Sequence, residues 1–231
     1  MKAAAAVLLF ATALVAIAQT SPPPAHVDWR SAGAVTHVSD QGQCGSDYAF
    51  AASAALEGAN KIATGHLIKL SEQELVDCSR VYGNNGCNGG GAQEALEWVR
   101  RHGVATQADY PYTARDGVCR QHVRPAVHLA SFRSLPTDMT SLMAAVAAQP
   151  VAALIDSSSA GFQRYEGGIY ACHAGRATHW VTIVGYGATA SGQPYWIIKN
   201  SFGTRWGESG YMRMARSADC SNIFAALAPT I

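Results

Sequence analysis

Six cysteines are the side chains of this sequence with the widest choice of chemistry, because a cysteine can act as a nucleophile, a metal ligand or a disulfide partner. They are Cys44, Cys78, Cys87, Cys119, Cys172 and Cys220. No CxxC pair or other tight ligand cluster is present, which argues against a zinc site. Counting alone leaves fifteen ways to pair six cysteines, and full pairing would leave no free thiol for catalysis.

Asp47 is a carboxylate at the start of a predicted helix that runs to Thr64 and stops at Gly65. The apolar positions with helical spacing are Phe50, Ala54, Leu56 and Ile62. The unpaired N–H groups of a helix start favour a negative charge by about 0.3–1 kcal/mol. A carboxylate there could polarise a water molecule as a general base. Amide hydrolysis usually needs a second such group, and the sequence identifies none.

Helical signals precede strand signals along the chain. Ser71-Glu72-Gln73-Glu74 is a capping box that predicts a short helix through Val76, and residues 92–102 predict another that ends at Gly103. A further helix is predicted at 137–149. Four strand-like runs follow, at residues 151–155, 181–186, 195–199 and 211–214. Helices followed by strands predict an α+β fold whose two layers enclose a cleft.

The N-terminus is typical of an export signal. Lys2 precedes an apolar run, and Ala16-Ile17-Ala18 has the small residues that signal peptidase needs, so we predict a signal peptide at 1–18. The run is shorter than the roughly 20 residues of a membrane-spanning helix. A proline-rich leader is predicted at 19–26. We therefore expect a secreted protein, or one in a secretory-pathway compartment such as a vacuole or lysosome, where cysteines pair.

The composition excludes some classes of partner. Hydrophobic residues make up 48% of the chain, charged residues 14%, and the net charge is +1. Lys and Arg form no cluster, so neither nucleic acid nor an anionic membrane is expected as a partner. We expect no cofactor, no metal and a monomeric protein.

Four sequence blocks resemble papain-family cysteine proteases. QGQCGSDYAF, from Gln41 to Phe50, is similar to the motif QGxCGSCWAF, which opens the central helix of that family and carries the nucleophile as its second cysteine. Val27-Asp28-Trp29-Arg30 resembles the family's mature N-terminus, and Cys87-Asn88-Gly89-Gly90 resembles its glycine wall beside the substrate. Residues 195–208 resemble the block with the catalytic asparagine. The blocks keep the family's order and spacing.

The resemblance implies a papain-like α+β fold with two subdomains. Within a peptidase-like domain at 27–231, a helical subdomain is expected at about 32–133 and an antiparallel, β-barrel-like subdomain at about 134–220, with the cleft between them. The implied disulfides are Cys44–Cys87, Cys78–Cys119 and Cys172–Cys220. The family normally has a propeptide before this domain, and none is expected between the predicted signal and Val27.

The resemblance also implies roles for individual residues. Gln41 would donate to the oxyanion, His179 would be the base and Asn200 would orient its imidazole. Taken singly, each has a simpler explanation: a turn residue, a polar residue at the start of a strand and a loop amide. The implied substrate-contacting residues are Asn88, Gly89, Gly90, Leu154, Trp180 and Trp206.

Asp47 stands where the family has its nucleophilic cysteine. The family's thiolate is held deprotonated by a helix start and an imidazolium, and an Asp47–His179 pair would keep that charge pattern. A carboxylate is a poor nucleophile toward an amide, and removing the nucleophile of a comparable hydrolase costs about 10⁶-fold in turnover. We therefore interpret the chain as a catalytically inactive homologue, a pseudo-protease.

Three aromatic residues also depart from the family pattern. Tyr48 and Phe202 each replace a tryptophan, and Trp180 replaces a small residue beside the second substrate pocket. The predicted function is binding of a peptide or protein ligand in the cleft, with a cystatin-type inhibitor as a candidate. Two alternatives remain open: an active peptidase with unusual Asp47 chemistry or a sequence artefact at that position, and a structural or storage protein.

Overall fold

The computed structural model of the chain describes residues 22–171, 175–217 and 222–231. The predicted signal peptide lies outside these residues, as do Cys172 and Cys220.

Five α-helices form within the described residues: α1 (Asp47–Thr64), α2 (Glu72–Cys78), α3 (Ala92–His102), α4 (Met139–Ala148) and α5 (Ala160–Gln163). Two short 3-10 helices, Ser79–Tyr82 and Gly86–Asn88, connect α2 to α3. Helix α1 contacts α2 and α3 on one side and strands of the sheet on the other. It is therefore buried along most of its length, from Tyr48 to Asn60.

Two glycines set the shape of α1. Gly65 ends it with φ 80° and donates its N–H to the Lys61 carbonyl oxygen at 2.9 Å, a left-handed turn that residues with a Cβ atom disfavour. At Gly58, a Cβ atom would come within 2.5 Å of Pro150. Glycine at this position therefore lets the helix lie directly against the segment that leads into the sheet.

Eight strands form one sheet within the described residues: β1 (Val27–Asp28), β2 (Ser131–Ser134), β3 (Val151–Ile155), β4 (Ile169–Tyr170), β5 (His179–Ala188), β6 (Pro194–Lys199), β7 (Tyr211–Ala215) and β8 (Ile223–Thr230). Their order is β2-β8-β3-β5-β6-β7-β4, and β1 pairs with β5. All pairs are antiparallel except β4 with β7. Because β5 pairs with β6 through Thr182 and Lys199, the start of β5 lies beside the residues that follow β6.

Two apolar cores lie on the two sides of this arrangement. One joins α1 to α3 and includes Leu56, Leu96 and Trp180. The other lies between α4 and the sheet and includes Val146, Ile183 and Ile198. The helical and sheet halves therefore each have a core, and they meet along α1 and β5. The division into subdomains near residue 133 stays a prediction.

The capping-box prediction is correct in one half and wrong in the other. Ser71 Oγ accepts from the Glu74 N–H at 3.0 Å, as predicted. Glu74 does not bond back to Ser71, because its buried carboxylate accepts from the Ala105 N–H at 2.7 Å. The Ser71 N–H donates instead to the Ala105 carbonyl oxygen at 3.0 Å. A tertiary contact has replaced the local one.

Within the part of the chain that the structure describes, no helix has both the length and the apolar character needed to cross a membrane.

Candidate active site

The start of α1 is anchored to the loop that contains the glycine wall. Cys44 forms a disulfide with Cys87, and the Gly45 N–H donates to the Cys87 carbonyl oxygen at 2.9 Å. A Cβ atom at Gly45 would lie 2.8 Å from that oxygen, so glycine permits the close approach. A second disulfide joins Cys78 to Cys119. The third implied pair lies outside the described residues.

Asp47, the first residue of α1, connects the helix to the sheet. Its Oδ2 lies 2.7 Å from Nδ1 of His179, the first residue of β5. The same oxygen accepts from the Trp180 N–H at 3.2 Å, and Oδ1 accepts from the Tyr48 N–H at 2.6 Å. The carboxylate thus has contacts on both oxygens and lies where helix N–H groups favour a negative charge.

His179 lies between two oxygen acceptors and is buried, with 4% of its surface exposed. Nε2 is 2.8 Å from Asn200 Oδ1, which also accepts from the Ser201 N–H at 2.8 Å. Since Asn200 presents an oxygen, Nε2 carries the proton in that contact. The contact of Nδ1 with Asp47 then needs one further proton, shared between the ring nitrogen and the carboxylate oxygen. The pair can therefore consist of an aspartate and an imidazolium, or of a protonated aspartic acid and a neutral imidazole.

Aromatic rings pack against the imidazole of His179 and form its aromatic cover. The Phe202 ring centroid lies 4.8 Å from that of His179, and the Phe162 ring meets it edge-on at 5.9 Å. Trp206 packs against both phenylalanines and donates its Nε1–H to the Phe162 carbonyl oxygen at 3.2 Å. No sequence motif marks Phe162, which lies on the four-residue helix α5, so sequence reasoning missed it.

Gln41 is fixed at both ends of its side chain. Nε2 donates to the Cys44 carbonyl oxygen at 3.0 Å, and Oε1 accepts from the Ser201 hydroxyl at 2.6 Å. The Tyr112 hydroxyl donates to the Gln41 main-chain oxygen at 2.8 Å. Ser201 and Tyr112 therefore hold this glutamine, a role that the sequence did not indicate. The Nε2 amide of Gln41 has two N–H groups, and the hydrogen bond to Cys44 takes only one of them.

A groove of about 460 Å³ opens above Asp47. Its walls contain most of the predicted contact residues: Asn88, Gly89, Gly90, Leu154 and Trp180, together with Gly45, Asp47, Cys87, Ala177 and Thr178. Four predicted site residues are not part of these walls: Gln41, His179, Asn200 and Trp206. Trp206 supports the aromatic cover, and its contact with a ligand stays a prediction. Among the described residues of the lining, Asp47 is the one with a charged side chain.

Trp180 lines both this groove and a second one. The second groove, of about 330 Å³, is bounded by Gln93, Glu94 and residues 224–227, and Trp180 belongs to both linings. The indole is 8% exposed and packs in the α1–α3 core beside Leu154 and Ala225. The space next to Leu154 is therefore occupied by the protein's own side chain.

Tyr48 ties the helix to the loop before the glycine wall. Its hydroxyl is buried and donates to the Gly86 carbonyl oxygen at 3.0 Å, and burial raises the pKa of this hydroxyl well above its usual range. We expect Tyr48→Phe to lower the free energy of unfolding by about 1–3 kcal/mol, because it leaves a buried carbonyl oxygen without its donor. Urea denaturation measures this loss. The control is Tyr82→Phe, whose partly exposed hydroxyl contacts His102; equal losses in the two variants would contradict the assignment.

A cluster of buried charges lies behind the site and combines residues of α1, the start of α2 and the end of β6. Lys69 pairs with Glu57 at 3.1 Å and with Glu72. Lys199 Nζ donates to the Thr36 hydroxyl at 3.0 Å, which in turn donates to Glu57 at 2.6 Å. Burial lowers the pKa of Lys199 to about 8, with Glu57 and Glu72 opposing the shift.

This lowered pKa predicts a specific pH dependence of stability. Between about pH 8 and pH 10.5, unfolded chains keep a proton on Lys199 that folded chains have released, so the Lys199 contribution to stability rises with pH in this window. The full rise would be roughly 3 kcal/mol. Urea denaturation of the wild type and of Lys199→Met across the window measures it. A wild type whose stability falls relative to the variant would contradict the prediction.

Residues 23–229 match the family described as papain family cysteine protease. The chain belongs to the papain family. Thiol protease SEN102 of Hemerocallis sp. is 49% identical over 200 residues, which are 85% of this chain and 55% of that protein. The chain spans about half the length of the curated relatives it matches.

Solved structures of papain-family proteins have the same fold. The ragweed pollen allergen Amb a 11, a cysteine protease solved in its proform, superposes with a TM-score of 0.87 at 40% identity, over 93% of this chain and 67% of its own. The bromelain protease of Ananas comosus, solved in complex with the E64 inhibitor, has a TM-score of 0.85 at 40% identity, over 90% and 99%. The predicted papain-like α+β fold is confirmed.

Proposed function

We propose that this papain-family domain binds extended peptides or protein segments in its groove and does not cleave them, because Asp47 takes the place of the nucleophilic cysteine. The observation that carries the proposal is the carboxylate at the head of α1, 2.7 Å from His179 Nδ1. The aspartate thus keeps the contact with the imidazole that a thiolate would make. Gln41, His179 and Asn200 are the other members of the site.

Acylation of Asp47 by a peptide is chemically unfavourable. Attack by a carboxylate would form an anhydride and expel an amine, whereas the thiolate of a cysteine protease forms a less reactive thioester. The contacts of Asp47 add to this barrier. Both carboxylate oxygens accept hydrogen bonds, from Trp180 and Tyr48, and Oδ2 also faces the imidazole. Attack would require breaking these contacts.

Activation of a water by Asp47 has little support from the groove. General base catalysis of amide hydrolysis needs a group that protonates the leaving amine as well as one that activates the water. Asp47 supplies the one carboxylate that the described part of the groove lining contains. His179 is 4% exposed and engaged on both ring nitrogens, so it is poorly placed to supply the second function.

Peptide binding needs only what the groove retains. An extended ligand can pair its main chain with the exposed backbone beside Gly89 and Gly90 and place alternate side chains against Leu154 and Ala177. The described lining has a single charged side chain, which favours uncharged segments over strongly acidic or basic ones. The two disulfides are consistent with an exported protein, in which such a ligand would be another secreted chain.

Retention of intact peptides tests this function. The purified domain is incubated with a diverse peptide pool, bound peptides are separated by gel filtration, and both fractions are analysed by mass spectrometry. We expect a subset of peptides to be retained and none to be cut. Ala177→Trp, which puts an indole into the groove from an exposed position, is expected to lose the retained set.

The matched control is Ala190→Trp, which places the same side chain on the exposed turn at the far end of β5. It should retain the same peptides as the wild type. Cleavage by the wild type would refute the loss of activity, and retention unaffected by Ala177→Trp would refute binding in the groove.

Trp180 should set the size of the ligand side chain that points toward it. In Trp180→Ala the two grooves would join, and peptides with a leucine or phenylalanine at this position should bind about 10- to 100-fold more tightly, since burying such a side chain contributes about 1.5–3 kcal/mol. Calorimetric titration of paired peptides that differ only in alanine or leucine measures the change. Circular dichroism verifies that the variant is folded. An unchanged leucine-to-alanine ratio in a folded variant would contradict the prediction.

A further inference from the structure

A small cavity lies behind the site, between α1, the start of α2 and the end of β6. Its free volume for a water-sized sphere is about 10 Å³, and its walls include Ser39, Lys69, Glu72, Lys199 and Asn200. The cavity therefore adjoins both the buried charge cluster and the amide that contacts His179. Its walls differ from those of the peptide groove, and within residues 22–171, 175–217 and 222–231 Trp180 alone lines both.

Three polar atoms from these walls have no hydrogen-bond partner among the described residues. They are Ser39 Oγ, Glu72 Oε2 and Asn200 Nδ2, each almost completely removed from solvent. Glu72 is 1% exposed and Asn200 3% exposed. Buried polar atoms of native proteins are nearly always paired with protein or ordered water, because an unpaired one is costly. Three such atoms around one cavity point to a shared ligand.

We propose that this cavity is a binding site for an internal water molecule, which joins Glu72 and Ser39 to Asn200 and so fixes the amide that orients His179. The chemistry of the three atoms matches water. Asn200 Nδ2 needs an acceptor, Glu72 Oε2 needs a donor, and the Ser39 hydroxyl can serve as either. The volume suits a single water, and two or more polar partners are present.

Ions fit the cavity less well. A metal cation would meet the ammonium groups of Lys69 and Lys199 and the N–H of Asn200. An anion would meet the carboxylate of Glu72, with Glu57 on the other side of Lys69. Water, which donates and accepts at once, satisfies both sets of groups.

The water would make Glu72 a positioning residue for the site. Asn200 must present Oδ1 to His179, since a rotated amide would direct its Nδ2–H groups against the Nε2–H. The bond from the Ser201 N–H to Oδ1 favours the observed orientation. A water that accepts from Nδ2 and donates to Glu72 would hold the other end of the amide. This role does not depend on whether the groove binds peptides.

NMR on the wild-type domain tests the proposal directly. We expect the Asn200 side-chain amide protons to show a cross-peak to a water that tumbles with the protein. Absence of that cross-peak, with the amide protons resolved and protected from solvent exchange, would overturn the proposal.

A variant that fills the cavity provides a second test. Ala54 lies on the cavity wall, and Ala54→Leu should expel the water and abolish the cross-peak. The His179 Hε2 proton should then exchange with solvent roughly five- to tenfold faster, the change expected for loss of about one hydrogen bond. Ala63→Leu, on the exposed side of the same helix, is the control and should change neither signal. Loss of the cross-peak with unchanged Hε2 exchange would overturn the positioning role.

Discussion

Asp47→Cys should give this domain peptidase activity. The new thiol would lie at the start of α1, where helix N–H groups and the His179 imidazole favour a thiolate. Loss of the nucleophile in a comparable hydrolase lowers turnover by about 10⁶-fold, so the gain can approach that factor. Hydrolysis of a broad set of fluorogenic peptides measures it.

Two variants separate the nucleophile from other effects at position 47. Asp47→Ala and Asp47→Ser remove the carboxylate without supplying a thiol, and both should stay at the wild-type background. Activity of the cysteine variant should be blocked by E64, the inhibitor present in the bromelain structure. If the cysteine variant is inactive, Asp47→Cys with Trp180→Ala tests whether the indole excludes the substrates. A folded double variant without activity would contradict the proposed site.

Glu57→Gln should cause a large loss of stability. Glu57 is 1% exposed, and it accepts from Thr36, Lys69 and the Leu70 N–H. Removing its charge leaves two buried lysines facing Glu72 alone. Breaking a buried ion pair in this way typically costs about 3–5 kcal/mol. Chemical denaturation of the variant and the wild type gives the difference.

The control for this loss is a surface carboxylate that accepts as many hydrogen bonds. Glu97 pairs with Arg100 at 2.6 Å and with Arg101 at 2.9 Å, and both arginines are substantially exposed. Glu97→Gln should lower stability far less, because solvent screens surface ion pairs. Similar losses in the two variants would show that burial of the charge cluster contributes little.

The elements that local signals specify were predicted well. The predicted bounds of α1 match the structure because Asp47 and Gly65 mark its two ends. Those of α3 and β3 also match, since Gly103 ends α3 and Pro150 directly precedes β3. Helix α4 is shorter than predicted, because Asp138 caps it and Met139 is its first residue. Strand β5 is longer than predicted and includes His179 and Trp180, since pairing with β3 extends to Ile155.

Several elements could not be predicted because their structure depends on distant partners. Strand β2 is largely exposed and forms through pairing with β8, nearly a hundred residues later. Strand β8 contains Pro229, which is unfavourable in a strand interior. The two-residue strands β1 and β4 are too short to show a period. Strands β1 and β4 are defined by their pairing with β5 and β7 in the folded chain.

The candidate site was likewise predicted only in part. Motifs pointed to Asp47, His179 and Asn200, and the structure brings these three side chains together. The residues that surround these three side chains were not predicted as part of the site. They are Phe162 of α5, Ser201 beside Gln41, and Ser39 and Glu72 at the cavity. No local pattern links these residues, which converge only when α1 packs on the sheet. Trp206 packs in the aromatic cover, and its expected contact with a ligand stays a prediction.

The central claim is that the carboxylate of Asp47 leaves the groove able to hold a peptide and unable to cut it. Its most direct test is hydrolysis of a peptide pool by the unmutated domain, measured beside Asp47→Ala. The account predicts the same background for both proteins, with no fragments attributable to the groove. Fragments produced by the unmutated domain, and abolished by both Asp47→Ala and Ala177→Trp, would contradict it.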